Sequence, residues 1–150
     1  MKSIAFKGNK GGFDWVVIDG ESRPEAVIVE RSKSPAPTDC RENQLAWVSQ
    51  EVTELLTIHK PTGAAILRIG GGTFSDALAE RVEVDGVIRS TLGYMKVPTQ
   101  AIKGVSLAKA FGVKKNELDE LLDRFPCIEG LPKTHRELVA LGLSQIPAAK

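Results

Sequence analysis

Aromatic side chains are scarce. Five Phe, two Trp and one Tyr make up 5% of the 150 residues. A binder that stacks single-stranded bases on aromatic platforms has little to work with here. An excess of one charge is also lacking: 20 basic residues against 19 acidic ones leave +1. Nucleic-acid-binding domains are usually strongly basic, so only a local basic patch would serve that purpose. Cysteine is limited to Cys40 and Cys127, far apart and outside any CxxC spacing. With only His59 and His135 to join them, they do not assemble a four-ligand zinc site. Both are read as thiols of a reducing compartment. No apolar run reaches the length of a membrane span. The N-terminus turns polar by Lys7, unlike a secretory signal. Cytoplasmic location is the expectation.

What the chain does have is an ordinary globular balance, 42% hydrophobic and 26% charged, at a length that fits one domain over residues 1–150. IAFKGNKGG at 4–12 is read as a first strand entering a glycine-rich hairpin, with Lys7 near the strand's end and Lys10 in the turn. FDWVVI at 13–18 and EAVIVER at 25–31 continue an antiparallel three-strand meander. A proline-rich connector, SKSPAPT at 32–38, leads to Asp39 and Glu42, spaced as a capping box. Leu45, Val48, Val52, Leu55 and Leu56 recur at helical spacing, with a stop near His59 ahead of Pro61. AAILRI at 64–69 is a buried strand. Gly70, Gly71 and Gly72 follow, with Thr73 and Ser75 as N-cap candidates. The glycine run reads either as a phosphate-binding turn without the lysine of a P-loop or as tight strand-to-helix packing. A helix at about 74–94 carries Leu78, Val82, Ile88 and Leu92 as its stripe. A short strand at 96–101 is confined to an edge or a strand end by Pro98. Short helices at about 104–111 and 116–125 come next; Asn116 caps the second, which buries Leu118, Leu121, Leu122 and Phe125. A last helix opens at Thr134 and Glu137 and stops before Pro147. The fold class is α/β: a mixed five-stranded sheet with helices on its faces.

This order of elements resembles the ribonuclease H-like fold and, within it, the RuvC-like Holliday junction resolvases. The likeness runs over about residues 3–145. IAFKGNKGG sits where the family's first strand and hairpin begin, and ENQLAWVSQEVTELLTIHKPTGAAILRI resembles its first helix and fourth strand. GGGTFSDALAERVEVDGVIRSTLGYMKVPTQAIKGV resembles its next helix and fifth strand, and THRELVALGL its last helix. The chain is also similar to a small uncharacterised bacterial family of this fold that carries KGN after its first strand. The resemblance implies two-metal phosphodiester hydrolysis, with acids at the ends of the first and fourth strands and in the last helix. In this chain Lys7 falls at the first place, Arg68 at the second, and Leu138 at the third, given His135. Mg²⁺ wants oxygen ligands and is repelled by both cations. The resemblance therefore implies a catalytically inactive RuvC-like domain, without catalytic residues, metal or cofactor, acting as a nucleic-acid-binding or protein-interaction module. The other reading is a nuclease or phosphate-handling enzyme whose site is relocated to acids such as Asp14, Asp19, Asp76 or Glu80.

Lys7, Lys10, Arg68, Lys103 and His135 are the candidate nucleic-acid or phosphate contacts. Arginine grips phosphate bidentately and lysine acts as a point charge. Lys96, Lys103, Lys109, Lys114 and Lys115 follow one another without an acid, while Glu117, Asp119, Glu120 and Asp123 lie next door. Such segregation would steer structured DNA to one face. Equally, lysines in short helices often only solvate a face, and Lys7 and Arg68 have Asp14, Asp19 or Glu30 as candidate salt-bridge partners. His135 reads as a phosphate contact or as a capping-turn histidine. His59 reads as a neighbour of its helix's C-terminal dipole, and Trp15 and Trp47 as packing. By resemblance, the helix at 74–94 would pair two copies into a homodimer. No membrane partner is expected.

Overall fold

The glycines of the first hairpin do what the sequence asks of them. Gly12 takes φ +142°, and a Cβ there would run into the backbone around Ser34. In the computed structural model, which describes residues 1–69 and 75–149, β1 (Lys2–Asn9), β2 (Gly12–Asp19) and β3 (Val27–Pro35) form the antiparallel meander. After α1 (Arg41–His59), β4 (Gly63–Arg68) pairs parallel to β1; after α2 (Asp76–Tyr94), β5 (Thr99–Lys103) pairs parallel to β4. The sheet order is β3-β2-β1-β4-β5. The short α3 (Leu107–Ala110) and α4 (Leu118–Leu122) and the longer α5 (Lys133–Leu143) complete the chain. The expected mixed five-stranded sheet with helices on its faces is thus present.

Strand side chains alternate, so the sheet builds two cores. Ile4, Phe6, Trp15, Val17 and Ile66 pack against Val48, Val52, Ile88 and Leu92 of α1 and α2. Ala5, Val16, Ile18, Leu67 and Ile102 pack against α3, α4 and α5, where Val139, Leu141 and Leu143 are fully buried. Each large apolar side chain so buried contributes about 1.5–3 kcal/mol. α5 approaches the sheet very closely at Gly142: a Cβ there would lie 2.7 Å from Ile18 Cδ1. Ser3 Oγ donates to the Gly142 carbonyl at 2.8 Å, a buried bond that ties β1 to α5.

Several boundaries and caps differ from the sequence expectations. β3 starts later, at Val27, and runs through Pro35, because an edge strand tolerates proline. The N-cap of α1 is Cys40; Asp39 instead accepts from the Cys40 amide at 2.7 Å and from Asn43 Nδ2 at 3.1 Å. The expected end of α1 at His59 holds, with Lys60 in the left-handed region. Ser75 caps α2 by accepting from the Leu78 amide. Val82 is 52% exposed; the buried stripe of α2 runs through Val84, Ile88 and Leu92, since Val82 and Ile88 are not at helical spacing. β5 lies at Thr99–Lys103, after Pro98, whose carbonyl accepts from the Ala64 amide. Asn116 sits within a 3-10 turn and Glu117 is the cap position of α4, while α5 follows Pro132 without the Thr134 box. The Gly70–Thr73 expectations fall outside the described residues. Among the described residues no helix is long and apolar enough to cross a membrane.

Candidate nucleic-acid interface

The C-terminal ends of β1, β4 and β5 place the candidate cations. Ser3 to Phe6 pair in constant register with Gly63 to Ile66. One step further, Lys7 stands beside Leu67, on the face that carries Ala5 and faces α5. Arg68 closes β4 one residue later and lines a groove that does not include Lys7, so the two cations do not share it. Lys7 is half-buried and stands opposite Asp14 across the hairpin, and Asp14 stands opposite Lys33. Among the described residues no carboxylate lies within ion-pair distance of Lys7 or Arg68; Asp19 is engaged by the Met1 ammonium at 3.5 Å, and Glu30 by His59.

Arg68 has a different partner. It is in register with Lys103, and the two line an open groove of about 550 Å³ together with Gln100, Ile102, Ser106 and Lys109. Three cations and a hydroxyl share this groove, and among the described residues no acid lines it. Lys7, Lys10 and His135 do not line it. Lys10 is exposed at the hairpin tip, where its carbonyl accepts from Arg41 Nη1 at 3.3 Å. Arg41 also donates to the Glu80 carbonyl at 2.7 Å and pairs with Glu83 at 3.2 Å, fastening the hairpin to the start of α2. His135 lies in the first turn of α5, half-buried, its amide bonded to the Pro132 carbonyl. The lysines of 96–116 are split: Lys96 follows α2, at the opposite end of β5 from Lys103. Of the neighbouring acids, Asp123 pairs with Arg136. His59 is not limited to its helix dipole: it is 9% exposed, its Nε2 lies 3.1 Å from Glu30 Oε2, and it packs near the Trp15 ring. Trp15 donates to Ser34 Oγ, and Trp47 packs on Phe13, so both are packing residues.

Sequence reasoning missed Asp85. It sits on the buried stripe of α2, 9% exposed, against Gly8 at the end of β1. Its Oδ1 is buried with no hydrogen-bond partner among the described residues, as is Arg81 Nε one turn earlier. Desolvation lifts the Asp85 carboxyl from 3.8 to about 6; Arg81, the Gly8 amide and Arg89 pull the other way. The signal was present in the sequence: an acid three residues before Ile88 and seven before Leu92 lies on an otherwise apolar stripe.

These residues do not fit the divalent ions that the resemblance implies. Lys7 and Leu67 occupy neighbouring strand ends, and Leu138 is 5% exposed within the core. Among the described residues no group of three or more His, Cys, Asp or Glu side chains is placed to hold an ion. Asp14 stands on the sheet face that packs α5, and Asp85, on α2, lies over the opposite face.

No protein-family model matches the sequence, and no curated protein matches it. Solved structures do. The chain is similar to RuvC of T. thermophilus in complex with Holliday junction substrate, at TM-score 0.77 and 13% identity, covering 96% of this chain and 92% of that one. It is similar to the yeast mitochondrial Holliday junction resolvase Ydc2, at TM-score 0.66 and 10% identity, covering 95% and 76%. It is also similar to the Fowlpox virus resolvase solved with Holliday junction DNA, at TM-score 0.53 and 10% identity, covering 96% and 95%. The fold is RuvC-like, within the ribonuclease H-like class.

Proposed function

We propose that this chain is a RuvC-like domain that holds structured DNA and does not cleave it by a metal-dependent route. The observation that carries the reading is the groove of Arg68, Lys103 and Lys109, which runs along β5 and, among the described residues, is lined by no acid. Its cations supply phosphate contacts directly, with arginine as the fork and the lysines as point charges. Lys7, Lys10 and His135, at or near the same end of the sheet, extend the positive surface rather than share the groove. The structural relatives solved with junction DNA support branched DNA as the form to try first. Fluorescence anisotropy of labelled branched DNA across a salt series tests the reading. Steeply salt-dependent binding is expected, and absence of binding at low salt refutes it.

A nuclease with a relocated site remains the second reading, and Asp85 is the observation in its favour. A single carboxylate faced by two arginines supplies at most one ligand or one proton acceptor. Junction cleavage by the natural protein that is lost in Asp85→Asn would favour it. A homodimer through α2 is a further part of the proposal: Val82 is 52% exposed, and Gly86, one turn on, leaves open space for a second backbone. Sedimentation of the natural protein against Val82→Glu tests that pairing.

A further inference from the structure

A second groove lies at the other end of the sheet. α1 and α2 both stop there, and β4 begins. The groove measures about 400 Å³; Leu56, Met95, Val97 and Pro98 form its apolar floor, and Lys60 and Lys96 stand on its walls. Among the described residues no carboxylate lines it and neither lysine is in an ion pair.

The backbone makes the two lysines unusual. Among the described residues, Lys60 at φ 50° and Lys96 at φ 58° are the non-glycine residues with positive φ. Each follows the last turn of a long helix, where glycine fits the left-handed region without strain. Two lysines thus occupy two glycine-like positions in the lining of one groove. The local hydrogen bonds hold the walls: the Lys60 amide donates to the Leu56 carbonyl at 3.0 Å, and the Val97 amide to the Leu92 carbonyl at 3.0 Å.

We propose that this groove receives an extended segment of a protein partner in which an apolar side chain is flanked by carboxylates. The apolar floor takes the side chain, and the lysines take the carboxylates on either side. A nucleic-acid backbone offers nothing apolar for the floor, which separates this surface from the Arg68 groove. β4 runs from Gly63 near this groove to Arg68 at the other end, roughly 17 Å along the strand. The two surfaces can be filled together, so the domain can tether a protein to the DNA it holds.

The test uses the acetylated, amidated hexapeptide DELFED and its basic counterpart KKLFKK as probes, titrated into isotopically labelled protein. Saturable amide shifts at Thr62, Met95 and Val97 with the acidic peptide alone are expected. The double variant Lys60→Gly/Lys96→Gly keeps the fold, because glycine relieves the left-handed strain. It should bind the acidic peptide at least about tenfold more weakly while binding branched DNA as the natural protein does. Absence of saturable shifts, equal shifts with the basic peptide, or undiminished binding by the glycine variant overturns the proposal. Failure of DNA binding alone would bear on the Arg68 groove and leave this surface standing.

Discussion

Asp85 lies directly over Gly8: its Oδ1 occupies the space that a Cβ at residue 8 would need. α2 and β1 come this close only because residue 8 has no side chain. Gly8→Ala must push the carboxylate aside, in a core where Val84 is also within contact of the added atom. The expected cost is about 1–3 kcal/mol, read as a lower midpoint in chemical denaturation with an unchanged slope. A midpoint equal to that of the natural protein would show that α2 has room to move.

The same carboxylate makes stability depend on pH. Its folded value of about 6 lies above the ordinary 3.8, so between those values the folded state holds a proton that the unfolded chain releases. That stabilising contribution is complete below pH ~4, falls as pH rises through about 6, and is gone above it. Asp85→Asn cannot ionise, so its unfolding free energy should be flatter over this window and higher than that of the natural protein at pH 8. Parallel pH profiles for the two proteins would contradict this account of Asp85.

Arg23 closes the far end of α5. Its Nε donates to the Leu143 carbonyl at 3.2 Å and the Ile146 carbonyl at 3.0 Å, and its guanidinium lies 4.5 Å from the centroid of Phe111. Burial pushes its pKa down, but the group stays charged. Arg23→Met keeps the stem and removes the side-chain donor from the Ile146 carbonyl, while the Leu143 carbonyl keeps the Ile146 amide at 3.0 Å, at a cost of about 1–3 kcal/mol. Thermal unfolding followed by circular dichroism measures it.

Much of the meander was legible because glycine, β-branched and aromatic residues spell strands and turns locally. The stop of α1 at His59 was legible because Pro61 acts on its neighbour alone. The site was less so. Whether Lys7 meets Arg68 depends on the register of two strands far apart in sequence, and whether Lys96 joins Lys103 depends on where β5 begins. Val82, which the spacing allows in the core or at an interface between copies, is 52% exposed, while Asp85, which carries no motif, lies on the buried stripe. Its spacing to Ile88 and Leu92 puts it on the stripe, and its packing against Gly8 shows how deep it lies.

In the Arg68 groove, Arg68→Ala, Lys103→Ala and Lys109→Ala together should weaken DNA binding and reduce the log–log salt slope by about 2–3. Single substitutions should each lower it by about 1. A slope that does not change would place the phosphate contacts elsewhere, with Lys7, Lys10 and His135 next in line.

The central claim is that the domain holds branched DNA and leaves it intact. Incubation of the natural protein with a labelled four-way junction in Mg²⁺, and separately in Mn²⁺, with each reaction run on native and denaturing gels, tests both halves at once. A retarded native band with full-length strands on the denaturing gel is the predicted result. Metal-dependent strand cleavage, or a junction that migrates free at low salt, would contradict it.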